Sequence, residues 1–188
     1  MRDRAHILKK LKSVLDRPRF EHCLRVEKIA VSLAKRYGLS VQKAGLAALL
    51  HDYARRYDRP RLLAEARRQK LEIDPVSRAE PKLFHAALSA LYARRDFGVT
   101  DRQILKAIKQ HTLGAPGMSA LEKIIFLADH IEEGRNFSGV KLVRKLAAQD
   151  LDRAVAVSTT NTLQYLLSKR LPVHSGTIRT RNYYLLRS

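Results

Sequence analysis

Apolar side chains recur at three- and four-residue steps along most of the chain, and they nowhere alternate as a half-buried strand requires. Val26, Ile29, Ala30, Leu33, Ala34 and Tyr37 form one such face, closed by Gly38. Ser40 then has N-cap chemistry for a helix carrying Ala44, Ala47, Ala48 and Leu50 into His51-Asp52. Asp58 with Pro60 opens a basic helix to about Lys70, and Pro75 and Pro81 punctuate the stretch before a helix from about Lys82 to Arg95. Thr100-Asp101 begins another, ending at His111-Thr112. A loop with two glycines and a proline, Leu113 to Met118, precedes Ser119 and Glu122 at capping-box spacing. Helices over about 139–148 and 150–170 follow. Pro172 stops the last, leaving a polar tail with room for a short terminal helix. The predicted architecture is all-α: a single compact helical bundle over 1–188. Its core runs from about 18 to 170, flanked by an N-terminal helix and a C-terminal tail.

Composition fits one globular domain: 188 residues, of which 45% are hydrophobic. Cys23 is the only cysteine, which excludes a disulfide framework and cysteine-based zinc sites and points to a reducing compartment. The first fifteen residues are charged throughout, unlike a secretory signal. The longest apolar runs, Ala44 to Leu50 and Ile124 to Ala128, are far short of a membrane span. These features predict a soluble cytoplasmic protein with no membrane partner.

The formal charge of +19 is local: residues 1–20 and 55–70 each hold seven basic and two acidic groups and 169–188 holds five basic and none acidic, whereas 121–152 is slightly acidic. Such an excess suits a polyanion, either nucleic acid or a phosphate-rich nucleotide. With 6% aromatic residues and no tryptophan, stacking on single strands is disfavoured.

Candidate chemistry lies in the seven histidines. His51-Asp52 ends an apolar helix, where two adjacent side chains can converge only with help from other elements, since helical neighbours diverge by about 100°. His22 lies 29 residues upstream, and Asp129 lies 77 residues downstream of Asp52, within an apolar run. A carboxylate in such a run is costly to bury unless a cation or hydrogen bonds compensate it. His22, His51, Asp52 and Asp129 make a mixed nitrogen and oxygen set suited to iron, manganese or zinc. His85 and His111, each at a helix edge, could ligate a second ion or bind phosphate. Cys23 reads as a small buried residue, His6 as exposed, His130 as a rim residue, and Tyr183-Tyr184 as docking the C-terminus.

The order His22, His51-Asp52, Asp129 resembles the HD-domain metal-dependent phosphohydrolase superfamily. More finely, the chain resembles the YqeK-like family, which cleaves dinucleoside tetraphosphates symmetrically. The similar stretches are Arg19 to His22, Ala47 to Ala54, His85, His111 to Gly114, Met118 to Asp129, Ile131 to Arg135 and Phe137 to Val140. A weaker echo covers Val173 to Thr177 and Arg181-Asn182.

The resemblance implies hydrolysis of diadenosine tetraphosphate to two ADP by hydroxide generated from metal-bound water. His22, His51, Asp52 and Asp129 would hold one or two divalent ions, iron first and manganese or zinc otherwise. Asp52, His85, His111 and Arg55 would be catalytic. Arg19, Tyr53, Ala54, Thr112, Asp129, Arg135, His174 and Thr177 would join them around the substrate and its ADP-like product. Arg55 stands where the family usually has lysine, His130 where it has tyrosine, and Glu133 and Ser175 where it has proline. These departures touch the rim rather than the ligands. Two other readings remain at this point: an HD hydrolase of deoxynucleotides or guanosine polyphosphates, and an RNA- or ribosome-associated protein using the basic segments.

Overall fold

The computed structural model describes residues 3–187, and these contain helices and turns but no strand. Helix α1 spans Arg4–Val14, α2 Arg17–Arg36 and α3 Val41–Leu50. A 3-10 turn at Tyr53–Arg56 leads to α4 (Arg59–Arg68) and the short α5 (Pro75–Ala79). A second 3-10 turn, Pro81–Phe84, runs directly into α6 (His85–Phe97). The remaining helices are α7 (Arg102–Gln110), α8 (Ala120–Ile131), α9 (Val140–Ala147), α10 (Leu151–Ser168) and α11 (Ser175–Leu185). No helix among the described residues is long and apolar enough to cross a membrane.

Local chemistry explains most boundaries. Asp16 accepts from Arg19 N and starts α2, with Pro18 in the first turn, so this helix begins well before its apolar face. Ser40 caps α3, Asp58 α4 and Asp101 α7. At α8 both halves of the capping box form between Ser119 and Glu122. Beyond its first turn helix α3 is apolar on every side, and each residue from Ala44 to Leu50 is buried, as expected of a helix enclosed by others. It packs against α2, α7 and α8, while α6 packs on α7. His51-Asp52 therefore leaves the protein's most enclosed helix and emerges where the ends of α2, α6, α7 and α8 come together.

The C-terminal segment carries the terminal helix for which the sequence left room, and Tyr184 docks it as expected. Residues Ser175–Leu185 form a complete helix on α10. The hydroxyl oxygen of buried Tyr184 accepts from the Met118 amide at 2.7 Å. Thr180 lies over Gly114, where an added Cβ would come within 2.5 Å of it and where φ is +67°. Glycine at 114 thus allows both the turn and the close approach of α11.

Candidate metal centre

Three histidines are fixed in the same way. The Nδ1–H of His51 donates to Ala48 O (2.6 Å), that of His85 to Lys82 O (2.5 Å) and that of His111 to Ile108 O (2.7 Å). Each bond spans three residues and satisfies a carbonyl in the last turn of a helix or of a 3-10 segment. A carbonyl only accepts, so Nδ1 carries the proton and Nε2 presents its lone pair. His22 on α2 is set differently, its Nδ1 lying 3.2 Å from Glu132 Oε1. Its Nε2 is likewise left facing inward.

All four Nε2 atoms meet around Asp52. Asp52 Oδ2 lies 3.6 Å from His22 and 3.5 Å from His51, while Oδ1 lies 3.1 Å from His85 and 3.8 Å from His111. Asp129 Oδ1 on α8 is 3.1 Å from His22 Nε2. His22 and His51 Nε2 are 3.3 Å apart, and His85 and His111 Nε2 are 2.9 Å apart. Four imidazole lone pairs and three carboxylate oxygens thus face one another at contact distance. Such a set of acceptors is mutually repulsive unless cations lie among them, and the donor types fit a divalent transition ion. His22, His51 and Asp129 form one set with ion-binding spacing, and His51, Asp52 and His111 another.

The electrostatics agree. Burial alone would raise the pKa of Asp52, but His51, His85 and Arg19 outweigh it and hold this carboxyl well below its ordinary value. Asp129 is likewise held low against its burial, by His22, His51 and Arg135. Burial lowers His51, and burial with its imidazole neighbours pushes His111 down to about 3. At neutral pH the residues are therefore in the forms that bind metal: charged carboxylates and, for His51 and His111, neutral rings.

Arginines close the centre on one side. Arg19 Nη1 bonds Asp52 Oδ2 and Arg135 Nη2 bonds Asp129 Oδ1, both at 2.6 Å. Both guanidiniums line an opening of about 260 Å³ with His22 and Gly134. On the other side, Thr112 Oγ1 lies 3.3 Å from His85 Nε2 and 3.1 Å from His111 Nε2. Thr112 also lines a cleft of about 630 Å³ bounded by Asp74, Ser77, Lys109, His174 and Arg179. His174 accepts from Gly176 N, so its other nitrogen donates to Asp74 Oδ2 at 3.2 Å.

Not every expected site residue reaches these openings. Tyr53 is buried with its ring against Phe97 and its hydroxyl donating to Asp96, facing away from the histidines. Ala54 is fully buried, its amide donating to Ser89. Thr177 is buried and lies outside the lining of the larger cleft. For these three residues the structure does not support a side-chain contact with substrate. Arg55 is half-buried one 3-10 turn beyond Asp52, with its amide bonded to the Asp52 carbonyl. His130 packs edge-on against Phe137, and Cys23 is buried and free.

Two contributors carry no sequence signal strong enough to single them out. Glu132, beneath His22, is followed by an identical residue that pairs with Lys28 at the surface. Arg144 bonds the carbonyls of Ile131, Glu132 and Arg135, pinning the turn that aims Arg135.

Comparison with known proteins agrees with this arrangement. The HD-domain family model matches residues 19–134, which contain all four expected metal ligands. A Halalkalibacterium halodurans protein named symmetrical bis(5'-nucleosyl)-tetraphosphatase is 42% identical, with 98% of each chain covered. A Bacillus subtilis protein of the same name is 39% identical, with 96% of this chain and 97% of that one covered. A crystal structure from Clostridium acetobutylicum, described as an HD-superfamily hydrolase involved in NAD metabolism, superposes with a TM-score of 0.95 over the whole of both chains at 35% identity.

Proposed function

The chain belongs to the HD-domain family, and from that premise we propose that it is a metal-dependent hydrolase cleaving a dinucleoside tetraphosphate symmetrically into two nucleoside diphosphates. Diadenosine tetraphosphate, giving two ADP, is the substrate we assign. The observation that carries this reading is the convergence of acceptors on Asp52 between two openings. A substrate with a phosphate chain at its middle and a nucleoside at each end suits a reactive centre with space on both sides. The names of the near full-length relatives support the same substrate class.

His22, His51, Asp52 and Asp129 would hold one ion, and His85 and His111 stand ready on the other oxygen of Asp52 for a second. Iron is our choice among the divalent transition metals, with manganese and zinc as alternatives for this donor set. When bound, such an ion supplies positive charge to the phosphates and lowers the pKa of a bound water to about 7. Within the protein, Arg19 and Arg135 hold phosphate oxygens at the smaller opening, and Arg55 extends the clamp beyond Asp52. Thr112 offers a hydroxyl between His85 and His111 on the larger side. His111, neutral at pH 7, contributes a lone pair rather than a proton.

In the reaction, water oxygen bonds one of the two inner phosphorus atoms as the central P–O–P bond breaks. The bond's electron pair leaves with one nucleoside diphosphate, and a proton passes to solvent. A diphosphate is a weakly basic leaving group, so charge stabilisation matters more than its protonation. We assign the whole chain to one catalytic unit acting in the cytoplasm, the free buried Cys23 being consistent with a reducing compartment. Nucleic acid is not needed for this activity.

The test is hydrolysis of diadenosine tetraphosphate by metal-loaded protein, by chelator-treated protein and by His51→Ala. Turnover is expected in the first alone. Undiminished turnover in all three contradicts the proposal.

A further inference from the structure

The four imidazoles are not supported alike. His51, His85 and His111 donate to neutral backbone carbonyls, whereas His22 donates to the carboxylate of Glu132. That carboxylate is almost wholly enclosed, its side chain 3% exposed. Its second oxygen accepts from Arg25 Nε at 2.5 Å and from Gly134 N at 2.6 Å. The approach of this turn depends on residue 134 lacking a side chain. A Cβ there would lie 2.9 Å from Arg25 Nη2 and 3.0 Å from each Glu132 oxygen. Two partners, Arg25 and the Gly134 amide, therefore hold one anion against the back of a single ligand.

An anionic acceptor on a histidine's outer nitrogen fixes the ring and makes its inner nitrogen more basic, which strengthens metal binding. The carboxylates are distributed with the same bias. The His22 and His51 side sees Asp52 Oδ2 and Asp129 Oδ1, whereas the His85 and His111 side sees only Asp52 Oδ1. We propose that Glu132 is a positioning residue for His22 and makes the centre unequal, the His22 side holding its divalent ion more tightly than the His85 side. This rests on the metal-centre reading given above.

The experiment is titration of Mn2+ into the metal-stripped full chain, followed by calorimetry and by competition with a chelating dye. The wild type is expected to bind in two steps. Glu132→Gln keeps an acceptor for His22 but removes the charge, and should weaken the tighter step roughly 10- to 100-fold while leaving the weaker step unchanged. Gly134→Ala, which forces the carboxylate from its seat, should weaken the same step and serves if the glutamine variant does not fold. Arg25→Met removes a partner of Glu132 without removing its charge from His22, so it should keep the tighter step. Unchanged affinities in both Glu132→Gln and Gly134→Ala overturn the proposal, as does a loss in Arg25→Met equal to that in Glu132→Gln. A wild-type chain that takes up no ion overturns the metal reading itself, and this inference with it.

Discussion

Replacing Asp52 by asparagine separates the metal requirement from the folding requirement. The carboxylate lies within 3.8 Å of four imidazole nitrogens and 2.6 Å from Arg19. The amide fills the same volume but brings no charge. In the metal-free protein two effects oppose each other. The bond to Arg19 loses its charge assistance, worth about 1.5–3 kcal/mol, but an anion no longer has to be buried. The metal-free Tm should therefore move only a few degrees. The response to metal should differ sharply. An ion at 100 times its dissociation constant stabilises the wild type by about 2.7 kcal/mol. For a domain of this size that is a rise of roughly 5–11 °C. In Asp52→Asn the rise should fall below about 2 °C, because affinity is lost at both sides of the shared carboxylate. Thermal unfolding with and without Mn2+ measures this. A full metal-induced rise in the variant would refute the placement of Asp52 at the centre.

Three further outcomes are expected. Arg135→Ala should reduce kcat/KM roughly 10- to 100-fold, the loss of one charge-assisted bond to phosphate, with little change in Tm because its side chain is 40% exposed; steady-state kinetics and unfolding curves check both. Burial keeps His51 and His111 below their unfolded pKa values. Protons then bind the unfolded chain in preference, so the contribution is present above pH 6.5 and is lost as pH falls, for His111 down to about 3. The unfolding free energy of metal-free protein, from denaturant titrations, should drop through this window by about 1.4 kcal/mol per pH unit for His111, with His51 adding in the same direction, and a flat profile contradicts the buried neutral imidazoles. Tyr184→Phe strands the buried Met118 amide, at a cost of about 1–3 kcal/mol. Calorimetry should show the lower Tm, while turnover per folded molecule is retained.

What the sequence made legible was what short-range chemistry decides. The capping box at Ser119 and Glu122, the cap at Ser40 and the placement of His51-Asp52 at the end of an enclosed apolar helix all follow from local spacing. The helix over 175–185 was harder to foresee because its stability comes from distant partners: α10 beneath it, Gly114 under Thr180, and Met118 at the Tyr184 hydroxyl. Within the site, ligand types and order were readable, but direction was not. Tyr53 and Ala54 adjoin Asp52 in the chain, yet the 3-10 turn points them into the core. Glu132 and Glu133 are chemically identical neighbours, and only the packing of α2 against α8 decides which one reaches His22. The charge surplus also remains larger than a nucleotide clamp of three arginines can use.

Product analysis tests the central claim most directly. Metal-loaded protein is incubated with diadenosine tetraphosphate and the products are separated by ion-exchange chromatography at low conversion. The arrangement around Asp52 predicts ADP as the only nucleotide product, two molecules for each substrate consumed. AMP and ATP in equal amounts would place the cut off centre and contradict the account.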